Sequence, residues 1–147
     1  MDTLNGKYLS FYQNGLLNDS VIYKNGLKEG EYKSWYQNGL TNSIMYYKNG
    51  LLNGAVYNYD TLGRITYSGM MKDGKNEGVV KTYYENGQVK EEKNYHQDIL
   101  EGKSISFYPS GKMQLTQYFE NGLANGLCVL WQLNNAVDSF YFKKGLN

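Results

Sequence analysis

Glycine recurs at positions 6, 30, 54, 78, 102 and 126, a spacing of 24 residues that holds through the whole series. A second series, Gly15, Gly26, Gly39, Gly50, Gly63, Gly74 and Gly87, is spaced alternately by 11 and 13 residues, so two of its steps make one 24-residue period. Five residues after each glycine of the first series stands an aromatic: Phe11, Trp35, Tyr59, Tyr83, Phe107 and Trp131. The chain is rich in tyrosine, but six aromatics out of six in one register is more than composition supplies. A fixed period of this length is the signature of a repeat architecture, in which each unit buries its apolar face against its neighbours.

Turn chemistry says what the unit is. Tyr12-Gln13-Asn14-Gly15, Tyr23-Lys24-Asn25-Gly26, Tyr36-Gln37-Asn38-Gly39, Tyr47-Lys48-Asn49-Gly50, Tyr84-Glu85-Asn86-Gly87 and Phe119-Glu120-Asn121-Gly122 are near copies of one element. Asn-Gly between strand-forming residues favours a tight hairpin, because a type I′ turn needs positive φ at both central positions. Each unit therefore reads as two antiparallel strands, residues 7–13 and 16–24 in the first, joined at Asn14-Gly15. The fold class expected is all-β: an elongated antiparallel meander of about twelve strands, in six stacked 24-residue hairpin repeats. At about 4.8 Å between strands, such an open, single-layer twisted sheet runs on the order of 55 Å.

With a two-residue turn, Tyr12 faces Leu17 across the hairpin, Tyr36 faces Thr41, Tyr84 faces Val89 and Tyr108 faces Met113. The column from Phe11 to Trp131 then falls on the opposite face. One aromatic face is expected to line the inside of a curled sheet and the other to stay partly open. Three departures stand out: Asp60-Thr61-Leu62-Gly63 reads as a looser turn, Asp98 replaces a turn glycine, and Asn134-Asn135 replaces Asn-Gly. Asp and Asn are the next most tolerant of left-handed geometry.

The repeat fills residues 6 to 147, so a single array over residues 1–147 is expected, with no room for a second folded domain. Basic and acidic residues balance, 15 against 14, and no basic stripe suits a nucleic-acid backbone or an anionic membrane. The longest apolar run, Leu127-Cys128-Val129-Leu130-Trp131, is far too short to span a bilayer as a helix. Residues 1–6 lack the basic and apolar regions of a signal peptide, and a lone cysteine fits a reducing compartment. A cytoplasmic protein is expected.

No catalytic constellation emerges, and the chain is expected not to be an enzyme. Gly69-Met70-Met71-Lys72-Asp73-Gly74-Lys75 imitates a phosphate-binding loop, but Asn76 stands where the magnesium-binding hydroxyl belongs and Gly74 is in register as a turn glycine. His96, the one histidine, occupies the position of Lys24, Lys48 and Lys72 and reads as a solvated hairpin residue. Cys128 reads as a buried packing thiol, and Glu91-Glu92-Lys93 as a solvated strand. Catalytic, cofactor and metal residues are therefore none. Trp35, Tyr36, Asp60, Tyr84 and Tyr108 are the candidates for binding a partner, since Tyr and Trp offer large contact area with few rotors, and Asp60 breaks the tyrosine pattern.

The recurring Tyr-x-Asn-Gly followed four residues later by Gly, as in "YKNGLKEGEYKSWYQNG" (23–39), resembles the MORN repeat in the variant form of bacterial proteins of the YwqK antitoxin type. The resemblance implies a β-hairpin array without catalysis of its own. Members of that bacterial family are named as antitoxins or immunity proteins that neutralise a partner toxin, while eukaryotic relatives are associated with membranes and scaffolding. Two function classes follow: a non-catalytic protein that neutralises a toxin by stoichiometric binding, or a structural scaffold that organises proteins, in contact with a membrane surface or away from it. The partner expected is a protein; no cofactor, nucleic acid or integral membrane contact is expected, and a small-molecule ligand is disfavoured.

Overall fold

The computed structural model describes residues 3–134 and 136–143. These form two compact units, residues 1–75 and 76–147. Among the described residues every regular element is a strand. The first unit holds β1 (Gly6–Phe11), β2 (Leu17–Lys24), β3 (Leu27–Lys28), β4 (Gly30–Trp35), β5 (Thr41–Lys48), β6 (Leu51–Tyr59) and β7 (Ile65–Lys72). A two-residue strand, β8 (Lys75–Asn76), stands at the junction. The second unit holds β9 (Gly78–Tyr83), β10 (Val89–His96), β11 (Ile99–Leu100), β12 (Gly102–Phe107), β13 (Met113–Glu120), β14 (Leu123–Ala124), β15 (Gly126–Trp131) and β16 (Val137–Phe142). Within each unit consecutive long strands pair antiparallel, so the fold class expected from the period is observed. Twelve strands are long and four have only two residues.

The expected strand bounds and register need correction. In the first repeat the strands are Gly6–Phe11 and Leu17–Lys24 rather than 7–13 and 16–24, and Leu17 lies opposite Phe11, not Tyr12. Likewise Thr41 pairs with Trp35, Val89 with Tyr83, and Met113 with Phe107. The cause is the turn. Gly15 has a φ of 81°, whereas Asn14, Asn38 and Asn86 keep negative φ. The Tyr12 N–H donates to the Leu16 carbonyl at 2.8 Å and the Gly15 N–H to the Tyr12 carbonyl at 2.9 Å. This is a three-residue loop ending on a left-handed glycine, one residue longer than a type I′ turn.

The type I′ geometry does occur, in the alternate turns. Asn25 and Gly26 have φ of 51° and 79°, and Asn49-Gly50, Asp73-Gly74 and Asn121-Gly122 repeat it. Gln97 and Asp98 adopt it at φ of 49° and 70° without any glycine, as the tolerance of Asp for this region allows. The turn at Asp60 is not looser than the others: the Asp60 N–H meets the Arg64 carbonyl and the Gly63 N–H meets the Asp60 carbonyl, each at 2.9 Å, as in its tyrosine counterparts. Of the Asn134-Asn135 turn, Asn135 lies outside the described residues; the Asn134 Oδ1 accepts the Ala136 N–H at 3.0 Å.

The first glycine series marks a second irregularity. Tyr23 pairs with Lys28 and Ser20 with Lys33, so five residues on one strand span three on the other. The same two-residue excess recurs between Tyr95–Leu100 and Glu92–Ile105, and between Phe119–Ala124 and Thr116–Val129. Bulges of this kind bend a strand and sharpen its twist. In each case the longer segment includes the repeat glycine, Gly30, Gly102 or Gly126, which has positive φ.

The most buried positions are small. Val21, Val56, Val80, Cys128, Ser20, Ser34, Ser43 and Thr116 form the core, and among the described residues no large side chain is fully enclosed. Val56, Val80 and Cys128 share one register, two residues after a repeat glycine. The expectation that an aromatic column lines the inside is therefore corrected: Phe11 is 59% exposed, and Trp35, Tyr59, Tyr83, Phe107 and Trp131 are half-buried. Ser34 and Ser43 face each other across β4 and β5 with their hydroxyls 2.8 Å apart, which gives each buried hydroxyl a partner. Cys128 is buried as expected, and burial pushes its thiol up from the ordinary range.

Candidate partner-binding surface

The 24-residue period places chemically equivalent groups side by side, and hydrogen bonds tie them in two directions. On the edge made by the three-residue loops, tyrosine hydroxyls reach forward. Tyr12 donates to the Trp35 carbonyl at 2.7 Å and Tyr36 to the Tyr59 carbonyl at 2.7 Å. In the second unit Tyr84 donates to the Phe107 carbonyl at 2.8 Å and Tyr108 to the Trp131 carbonyl at 2.9 Å. The loop asparagines act in parallel: Asn14 Nδ2 donates to the Gln37 carbonyl, Asn38 Nδ2 to Thr61 and Asn86 Nδ2 to Pro109.

On the type I′ edge the bonds run backward. Gly26 N–H donates to the Leu4 carbonyl, Gly50 to Lys28, Gly74 to Leu52 and Gly122 to Leu100, all within 2.8–2.9 Å. Carboxylates complete this edge: Glu29 accepts the Asn49 N–H, Glu77 the Gln97 N–H and Glu101 the Asn121 N–H. Gly74 is thus a structural turn residue, as its register implies. His96 is exposed, with Nδ1 3.0 Å from Glu77 Oε1. Glu91 and Glu92 form half-buried ion pairs with Lys93 and Lys81, each at 3.0 Å.

These ties decide what the five candidate residues present. Tyr36, Tyr84 and Tyr108 have their hydroxyls committed to backbone and their rings half-exposed, so each offers a fixed apolar plate rather than a mobile side chain. Trp35 lends its carbonyl to Tyr12 and its ring to the Lys33 ammonium, 5.2 Å from the ring centroid. The Lys90 ammonium lies 5.9 Å from the Tyr84 centroid. Asp60 does different work. Its Oδ1 accepts the Leu62 and Arg64 N–H groups at 2.9 Å and its Oδ2 the Arg64 Nε at 2.7 Å. Backbone hydrogen bonding from Arg64 leads in lowering its carboxyl below the usual range. Where Asp60 replaces tyrosine and Leu62 replaces asparagine, one carboxylate closes the turn that asparagine closes elsewhere.

Two grooves open along the loop edge, one in each unit. In the first unit a shallow groove of about 460 Å³ is lined by Tyr12, Tyr36, Gln37, Asn38 and Thr61. In the second, a more enclosed and more apolar groove of about 260 Å³ is lined by Tyr108, Lys112, Met113, Trp131, Gln132 and Leu133. Tyr36 and Tyr108 are thus the candidates found on grooves. Lys112, Met113, Gln132 and Leu133 were not singled out from the sequence. Their only signal there is departure from the consensus, as where Gln132-Leu133 replaces Tyr-Gln. Among the described residues no group of three or more His, Cys, Asp or Glu side chains is placed to hold a metal.

A family model described as a MORN repeat variant matches residues 28–49, 76–97 and 100–121. The match is to three MORN repeats. Each matched stretch begins two residues before a repeat glycine and ends in the next type I′ turn, so all three lie in one phase of the fold. MORN repeats are generally protein-interaction modules. No curated protein matches the chain. Among solved structures, the crystal structure of the GtfA/B complex bound to UDP and GlcNAc aligns at 10% identity and a TM-score of 0.32, over 77% of this chain and 22% of that one.

Replacing Tyr36 by Phe keeps the ring and removes the hydroxyl, leaving the Tyr59 carbonyl without its donor. The expected loss is about 1 kcal/mol in urea unfolding, with the fold unchanged. Tyr108→Phe should behave alike; unchanged midpoints for both would show that the hydroxyls do not tie the repeats together.

Proposed function

We propose that this chain is a non-catalytic protein-binding module that neutralises a partner protein, a toxin, by covering part of its surface, in the manner of the antitoxins and immunity proteins that its repeats resemble. The observation that carries this reading is the row of half-exposed tyrosines with hydroxyls bound to backbone. Rings held this way are pre-organised anchors: little side-chain entropy is left to lose when a partner packs against them. Each unit has three hairpins, and a standard interface needs about 800 Å² per partner, an area that one such face can supply. Asp60 adds rigidity to its turn, and Arg64 beside it adds charge at the surface. The single cysteine supports placing the protein in the cytoplasm, a reducing compartment.

The test starts from affinity purification out of the native cell and moves to the purified partner. Calorimetric titration should give one-to-one binding, and partner activity should fall in proportion to the protein added. Tyr36→Ala combined with Tyr84→Ala should weaken binding by about tenfold or more, with far-ultraviolet dichroism unchanged. The reading is lost if the double variant binds as tightly as the parent, or if sub-stoichiometric protein inactivates the partner, since that requires turnover. Filament formation or co-sedimentation with lipid vesicles would instead favour the scaffold.

A further inference from the structure

Nine asparagines precede glycine: Asn5, Asn14, Asn25, Asn38, Asn49, Asn53, Asn86, Asn121 and Asn125. Asn-Gly is chemically labile. After the glycine N–H loses its proton to hydroxide, the nitrogen attacks the asparagine Cγ. An N–Cγ bond forms, the Cγ–NH₂ bond breaks, and ammonia leaves with a proton from water. Water then opens the cyclic imide to aspartate or isoaspartate. Glycine permits the attack because no Cβ shields its nitrogen.

The fold divides the nine into two classes. Six have side-chain amides held by hydrogen bonds. Asn14, Asn38 and Asn86 each accept an N–H two residues on and donate to a carbonyl in the next repeat. Asn5 donates to the Thr3 carbonyl and accepts the Asn25 N–H, Asn53 donates to Asp73 and Asn125 to Glu120. The other three, Asn25, Asn49 and Asn121, occupy the type I′ turns, exposed, and among the described residues their side-chain amides have no hydrogen-bond partner. The turn-glycine N–H groups donate in both turn classes, so the ranking falls to the side chain. We propose that Asn25, Asn49 and Asn121 are the sites of spontaneous deamidation in this protein.

The consequence differs among the three. Each type I′ turn lies beside the residue that precedes the repeat glycine, giving the pairs Asn5 with Asn25, Glu29 with Asn49, Asn53 with Asp73, Glu77 with Gln97 and Glu101 with Asn121. No pair holds two acids. Aspartate formed at 49 or 121 faces Glu29 or Glu101, whereas aspartate formed at 25 faces a neutral amide. Aspartate at 49 or 121 therefore loosens the type I′ edge by repulsion, and at 25 it does not.

The folded chain, incubated at mildly alkaline pH beside a sample unfolded in urea, tests this by peptide mapping with mass spectrometry. Conversion at 25, 49 and 121 should outrun the six held positions by about tenfold or more in the folded sample, since their amides have no hydrogen bonds to break. In urea the difference should vanish. Held positions that keep pace in the folded protein overturn the assignment. Asn49→Asp and Asn121→Asp should each lower the urea midpoint further than Asn25→Asp; equal shifts overturn the charge argument.

Discussion

Deleting residues 102–125, one complete repeat of the second unit, should leave a soluble protein that unfolds cooperatively. The deletion joins Glu101 to Gly126, and the ties of the loop edge re-form one period further on. The Tyr84 hydroxyl, which now meets the Phe107 carbonyl, would meet that of Trp131, and Asn86 would reach Leu133 in place of Pro109. Stability should fall only modestly, because a repeat array loses one unit and one interface. Deleting residues 102–113 removes twelve residues and has the opposite outcome. It joins Glu101 to Gln114, eliminates β12, and leaves β13 where a strand carrying the repeat glycine and its bulge belongs. Tyr84 then has no carbonyl in reach, and a one-residue slip is already enough to turn every side chain to the wrong face. The expected product is aggregated or unfolded by circular dichroism and size-exclusion chromatography. Similar behaviour of the two deletions would show that 24 residues is not the structural unit.

The period was legible because positive φ recurs at each repeat start and at the turns, and glycine adopts it most cheaply, with Gln97-Asp98 a turn that does without it. The turn type was less so. Asn-Gly occurs at both loop classes, and the choice rests on contacts a period away: Asn14 keeps negative φ while its amide bridges the Leu16 N–H and the Gln37 carbonyl, whereas Asn25 turns left-handed while its N–H meets Asn5. That difference of one loop residue shifted the expected cross-strand partners of Tyr12, Tyr36, Tyr84 and Tyr108. Aromatic periodicity raised the expectation that one aromatic face lines the inside, yet the most enclosed positions are small, Val56, Val80 and Cys128 among them, each two residues after a repeat glycine. Tyr36 and Tyr108 were legible as candidates from residue type alone, and the structure places them half-exposed on the two grooves. Lys112, Met113, Gln132 and Leu133 were not, since their groove forms where the repeat departs from its own pattern.

Gly54→Ala should be among the most damaging single-methyl changes in the chain. At Gly54 φ is +129°, outside the region that alanine tolerates, and an added Cβ would lie 2.9 Å from the Tyr46 Cβ. That contact cannot be relieved by a rotamer change, because a Cβ moves only with its backbone. The geometry follows from the strand itself: β6 runs unbroken from Leu51 to Tyr59, and between the Tyr47–Leu52 and Met45–Val56 pairs its excess residues pile over Tyr46. Gly102→Ala is the matched control. Its φ is +78°, and its nearest neighbour, the side-chain nitrogen of Asn94, stands at an ordinary 3.5 Å. Left-handed strain alone costs about 1–2 kcal/mol, and overpacking adds about 1–3 kcal/mol. Gly102→Ala should therefore lose about 1 kcal/mol, near the lower end of the strain cost, and Gly54→Ala about 2–4 kcal/mol, read from urea midpoints at constant slope. Equal losses would mean that close approach to Tyr46 does not matter, and that Gly54 is kept for its backbone conformation alone. A larger loss at Gly54 assigns this one glycine a second role: the missing side chain is what lets β6 approach Tyr46 of β5, a contact that Gly102 does not make.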